Sequence, residues 1–241
     1  SRFCMKSLVM TVLPPKLYEL RRGDIYSDEK THSVFAASID GLDLYAYGKI
    51  DESADIKEWY KASDPDGNGK AVVLLFSVIP DSPSSEYNGT TYIDTMNRAA
   101  TDRFIELTHE RYAARFGDRF GKSIKGIFTD EPQFAHKQFL GFPEGKQDVL
   151  LPFTDDFEET YQKTYGESLL DHVPELLWEL PDGKVSVIRY HYHDHVAERF
   201  ASSYSDQVGK WCEEHGISLC GHMMEEPTLY SQTRALGEVM R

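Results

Sequence analysis

Two short apolar runs, each ending in acidic residues and then a proline, set the strongest limit on how this chain can fold. The first is Gly126-Ile127-Phe128-Thr129-Asp130-Glu131-Pro132, and the second is Ile217-Ser218-Leu219-Cys220-Gly221-His222-Met223-Met224-Glu225-Glu226-Pro227. A short apolar run closed by turn residues reads as a buried strand. A strand that delivers carboxylates at its C-terminal end has the form of a parallel-barrel strand presenting acids at the barrel mouth. Two such ends suggest a pair. Taken singly, Asp130-Glu131 also reads as a loop acid followed by a helix N-terminal charge, which needs no function.

Paired carboxylates on rigid elements suit chemistry in which one oxygen is protonated as it leaves while another group attacks or activates water. Glycoside hydrolysis uses that arrangement. Period-two alternation sends His222, Met224 and Glu226 to one side of the second run and Met223 and Glu225 to the other. If the strand stays regular, Glu226 shares the mouth with His222; a bulge would substitute Glu225.

The rest of the chain falls into two unequal parts. Residues 1–70 alternate short β-prone runs (8–13, 33–38 and 42–47) with turn material and read as a β-rich segment of antiparallel hairpins. From Ala71 the rhythm becomes strand, loop, helix, strand, the alternation that produces a parallel sheet. Residues 71–79 read as a buried strand, Asn97 caps a helix reaching about Phe116, and 124–129 form the next strand. A long insertion over about 132–181 holds short helices near 154–165 and 169–177, and its Phe134, Phe139, Phe142 and Trp178 offer faces for stacking on a sugar. The plain alternative for these aromatics is a small local core. One long helix is expected from about Val185 to His215, stopped by Gly216.

Charge and cysteine usage exclude several classes. The 40 acidic residues against 26 basic ones give a net charge of −14, which disfavours nucleic acid and anionic membranes as partners and favours a neutral or cationic substrate. Cys4, Cys212 and Cys220 are scattered and fit neither a zinc site nor a disulfide framework. No run reaches membrane-span length. Asp64-Pro65-Asp66-Gly67-Asn68-Gly69-Lys70 imitates the start of a calcium loop, yet its glycine comes too early and Leu75 stands where a closing Glu belongs, so a turn is expected. His191 and His195 lie four apart on one helical face, as zinc ligands can, but Tyr192 occupies the place of the zincin Glu.

Tyr87-Asn88-Gly89-Thr90-Thr91-Tyr92-Ile93-Asp94, the helix around Phe104-Ile105-Glu106-Leu107-Thr108-His109-Glu110-Arg111-Tyr112, Gly126 to Pro132, Leu151-Pro152-Phe153-Thr154-Asp155-Asp156, and Trp211 through Gly216 to Glu226 together resemble the barrel core of bacterial α-L-rhamnosidase-like glycoside hydrolases. The resemblance covers roughly residues 71–241. It implies an α/β fold, a partial TIM (β/α)8-type barrel, and inverting hydrolysis of a terminal deoxysugar. Carried across, it makes Glu131 the general acid and Glu226 the general base, with Asp130 and His222 tuning or orienting them. Calcium assists sugar binding in some members of that family, but no ligand set is matched here and no cofactor is expected.

Eight strands with their helices take about 250 residues, more than follow the β-rich start, so the barrel is expected to be incomplete. Open edges would then call for missing segments of the same polypeptide or a second copy, and the chain alone is expected to be inactive. A bacterial protein of the cytoplasm or periplasm is the expected setting. Two other functions fit the residues: a metal-dependent hydrolase using His191, His195, His222 or Asp130, and a non-catalytic carbohydrate-binding module on an enzyme-like scaffold.

Overall fold

The structure is a computed structural model that describes residues 3–142, 145 and 147–237. The outer ends of the two expected segments (1–2 and 238–241), and Pro143, Glu144 and Lys146 of the expected insertion, lie outside the described residues.

Strand β1 (Lys6–Leu13) leads into α1 (Pro15–Ser27), which opens on two prolines that need no intrahelical N–H partner there. Strands β2 (Thr31–Asp40) and β3 (Asp43–Lys49) form a hairpin whose turn uses Gly41 at φ 59°. Helix α2 (Ile56–Ser63) starts where the Asp55 side chain accepts from the N–H groups of Lys57 and Glu58. Then come β4 (Lys70–Pro80), α3 (Arg98–Leu107) and α4 (His109–Phe116), with Asn97 accepting from Ala99 and Ala100 at the start of α3. Strands β5 (Gly126–Asp130) and β6 (Val149–Phe153) precede α5 (Phe157–Tyr165), α6 (Val187–Phe200) and α7 (Asp206–Glu214). Strand β7 (Ser218–His222) and α8 (Leu229–Leu236) complete the described elements.

These elements do not make a partial (β/α)8 barrel. Five strands pair in the order β3-β2-β4-β1-β6, every neighbour antiparallel, and β5 and β7 form a separate two-stranded parallel sheet. Strand β4, expected to start a parallel series, has β2 on one side and β1 on the other, so neither of its edges is left for β5. Its unbroken apolar run has another cause. Both faces of the sheet are covered, and burial on both faces produces such runs whatever the strand direction.

The two faces can be read residue by residue. Val34, Ala36, Val73 and Leu13 pack with Tyr18, Ile25 and Ile56 under α1 and α2. Their neighbours Phe35, Leu74, Phe76, Leu8 and Met10 face the larger core, with Phe153, Phe157, Tyr192 and Val196. Phe35 meets Phe76 edge to face at 5.9 Å, a favoured aromatic geometry. The β3 edge is blunted where Leu44 donates to the Glu179 carbonyl and Glu179 donates back to Leu42, each at 2.8 Å.

Three further differences from the sequence reading have local causes. The β-rich start contains α1 and α2, which cover the sheet. The expected insertion supplies β6, an edge strand in register with β1. The single long helix is broken by a π-helical turn at Ala201–Ser205, whose wider winding shifts the face that α7 presents.

Candidate active site

Strands β5 and β7 run side by side in register from Gly126↔Ser218 to Asp130↔His222, so both acid-bearing ends emerge together. Two glycines permit this approach. A Cβ at Gly126 would lie 2.6 Å from the Ser218 carbonyl oxygen, and one at Gly221 only 1.8 Å from that of Thr129. Behind the strand end, the Thr129 hydroxyl meets the Tyr204 hydroxyl at 3.0 Å, which ties β5 to the π-helical turn. Helical spacing places Tyr204 on the apolar stripe of the long helix, but it does not reveal the π turn that carries its hydroxyl to β5.

Strand β7 stops at His222, so the alternation expected through Glu226 does not continue. A turn follows, in which Met224 is buried and Glu225 adopts φ 61°. The Ser231 hydroxyl donates to the Glu225 carbonyl at 2.7 Å, and Thr228 and Ser231 form a capping box at the start of α8. The turn still brings Glu226 to His222, by a helix-like four-residue step rather than along a strand. His222 Nδ1 lies 3.1 Å from Asp130 Oδ1 and 3.8 Å from Glu226 Oε1. The two oxygens sharing that nitrogen are thus at most about 7 Å apart, a span that admits both geometries of a paired-carboxylate glycosidase.

An ionised carboxylate only accepts hydrogen bonds, so with Asp130 ionised and the ring neutral Nδ1 donates to Asp130 and Nε2 is left for a substrate or water; a protonated Asp130 donates to Nδ1 instead. The exposed Phe128 ring packs edge to face against the imidazole at 5.1 Å and limits its rotation. Glu131 follows Asp130 with φ 41°, and its N–H donates to the His222 carbonyl at 3.1 Å. Glutamate seldom adopts positive φ, and here Glu131 and Glu225 both do so, one beside each strand end. Strained backbone of this kind persists where the surrounding structure fixes it, and it clusters at functional sites.

Asp130, His222 and Glu226 therefore come together, all solvent-exposed, with Glu131 adjoining them through the backbone. Glu225 turns to a neighbouring cavity that also includes Met224 and Ser231. Phe134 and Trp178 do not line the site. They are 1% and 2% exposed in the main core, with Phe134 edge to face on Phe200 at 5.5 Å. Phe139 and Phe142 remain on the surface.

The helical histidines are committed elsewhere. His191 Nδ1 contacts Glu167 at 2.7 Å and its ring stacks on Tyr165, while His195 Nε2 meets the Thr160 hydroxyl at 2.9 Å in the core. Burial, with Arg199 nearby, pulls His195 down to about 4. Among the described residues no group of three or more His, Cys, Asp or Glu is arranged to hold a metal ion. No described helix is long and apolar enough to cross a membrane.

No protein family and no curated protein matches the chain. Among solved structures it is similar to the rhamnosidase from Novosphingobium sp. PP1Y, at a TM-score of 0.44 and 16% identity. That comparison covers 100% of this chain and 28% of the other, so the chain spans little more than a quarter of that protein's length. At this overlap the likeness assigns neither fold nor activity.

Proposed function

We propose that the protein is a glycoside hydrolase whose carboxyl pair is Asp130 and Glu226, organised by His222 between them. The observation that carries this reading is one imidazole nitrogen facing both carboxylates at an exposed strand end, 3.1 Å and 3.8 Å away. In the reaction, one carboxyl group gives its proton to the glycosidic oxygen as the bond from that oxygen to the anomeric carbon breaks. The other carboxylate takes a proton from a water whose oxygen attacks that carbon, so one water is consumed and two hydroxyl products leave. Glu226 is the better base candidate, because its flexible side chain reaches His222 from a turn and stands off it at 3.8 Å. Asp130 is then the acid, in its protonated form, and a terminal deoxysugar such as rhamnose is the sugar expected to be released, as the sequence resemblance implies.

The test is turnover of a panel of aryl glycosides, including the α-L-rhamnoside, by the full-length protein and its Asp130→Asn, Glu131→Gln and Glu226→Gln variants. Loss of general acid or base catalysis lowers kcat by about 10²–10⁴-fold while binding persists. Unchanged kcat in both Asp130→Asn and Glu226→Gln would refute the pairing. Sugar binding with no turnover in the unsubstituted full-length protein would favour the non-catalytic binding module.

A further inference from the structure

Beside the acid-bearing turn lies a recess of the opposite sign, unexpected in a chain with a net charge of −14. A cavity of about 230 Å³ is bounded by His136, Lys137, Met224, Glu225, Ser231 and Arg234. A second, of about 400 Å³, shares Lys137 and Arg234 and adds Phe139, Leu151, Tyr192 and His193, with no acidic side chain among its described lining. Among the described residues, no carboxylate pairs with Lys137 or Arg234. The Lys137 ammonium lies 5.7 Å from the Phe134 ring centre, and the Arg234 guanidinium 4.4 Å from that of Phe139. Both cations therefore rest against aromatic faces and keep their hydrogen-bond donors for something else.

Burial of the recess acts in the same direction. Burial alone pulls Lys137 down to about 8, and His193 falls to about 4 through burial and the nearby cations Lys137 and Arg189. A half-buried cation with no carboxylate in direct contact is costly, and an anion entering the recess relieves that cost, although Glu225 also bounds the first cavity. Leucine and aromatic walls favour an organic anion over a small hydrated one.

We infer that the substrate is an acidic glycan, with a uronic acid carboxylate held by Lys137 and Arg234 while the adjoining glycosidic bond lies at Asp130 and Glu226. This rests on the hydrolase reading above and adds the substrate class. The guanidinium fork of Arg234 matches a carboxylate with two parallel hydrogen bonds, and Lys137, which lines the same recess, adds a point charge. Phe139 supplies exposed apolar surface beside the two cations. The overall acidity of the chain, which by itself points to neutral or cationic substrates, is locally reversed here.

The test compares binding of methyl β-D-glucuronide and methyl β-D-glucoside, which differ in this one carboxylate, by calorimetry on the unsubstituted full-length protein and on its Arg234→Gln variant. Arg234 is exposed, so its variant is expected to fold. The expected result is about tenfold tighter binding of the glucuronide, lost in Arg234→Gln, as for one charge-assisted hydrogen bond. Lys137→Gln gives a second, independent loss. Absence of any preference for the glucuronide overturns the inference, as does displacement of the glucuronide by inorganic phosphate at equal concentration. The preference is expected to survive in Glu226→Gln, so failure of recognition and failure of hydrolysis are read separately.

Discussion

Replacing Gly221 with alanine tests the whole site at its narrowest point. The added Cβ would lie 1.8 Å from the Thr129 carbonyl oxygen and 2.8 Å from its carbonyl carbon. Ordinary contacts between such atoms begin near about 3.5 Å, so β5 and β7 would have to part by more than about 1 Å. The bond from Glu131 N–H to the His222 carbonyl, at 3.1 Å, has no such slack, and among the described residues no third strand holds this two-stranded sheet. Losing two or three ladder bonds and relieving the overpacking costs about 3–5 kcal/mol together. The separation also carries His222 away from Asp130. Urea unfolding reads the first effect, and NMR of the His222 side-chain nitrogens reads the second. Gly209→Ala in α7 is the control: its added Cβ finds its nearest neighbour at 3.9 Å, so a stabilisation of about 0.5–1 kcal/mol is expected. If Gly221→Ala stays within about 0.5 kcal/mol of the parent and the His222 signals do not move, the close approach does not organise the site.

Asp94 carries a pH signature: it is 1% exposed, accepts from the Thr154 hydroxyl at 2.6 Å, and is raised by burial from 3.8 to about 6. As pH rises the unfolded chain releases this proton first, so the stability it contributes is full below 3.8 and lost as pH passes about 6. That loss is about 3 kcal/mol, and urea unfolding of the parent and Asp94→Asn at pH 4 and pH 7 should reveal it as a difference between their slopes; parallel profiles would contradict it. His222→Ala removes exposed contacts only, so it should change stability by less than about 1 kcal/mol while lowering kcat at least tenfold if the imidazole organises the acids. Trp178→Ala should cost about 3–5 kcal/mol in unfolding experiments and leave the affinity of the remaining folded protein for glycosides unchanged, because its ring lies in the core.

Much of the local structure was legible before folding. Asn97 caps its helix, Gly216 follows the end of α7, and the runs at 8–13 and 71–79 are strands, because capping chemistry and apolar patterning act over a few residues. Local patterning does not encode partner choice. The same β4 run fits a parallel or an antiparallel neighbour, and the decision for β2 and β1 came from the pairing of whole strands and the cover laid on both faces by distant helices.

The candidate site divides the same way. By itself the sequence determined two short strands near acids and prolines, one ending at Asp130 and the other at His222, with Glu226 a few residues beyond. Tertiary structure alone decided that Asp130, rather than Glu131, meets the histidine, that Phe134 and Trp178 serve the core, and that Tyr204 braces β5. It also placed Lys137 and Arg234 on one recess, although 97 positions separate them in the chain. The reason is physical: spacing along the chain fixes which side chains share a face of one element, whereas the meeting of two elements depends on glycine gaps, turns and packing.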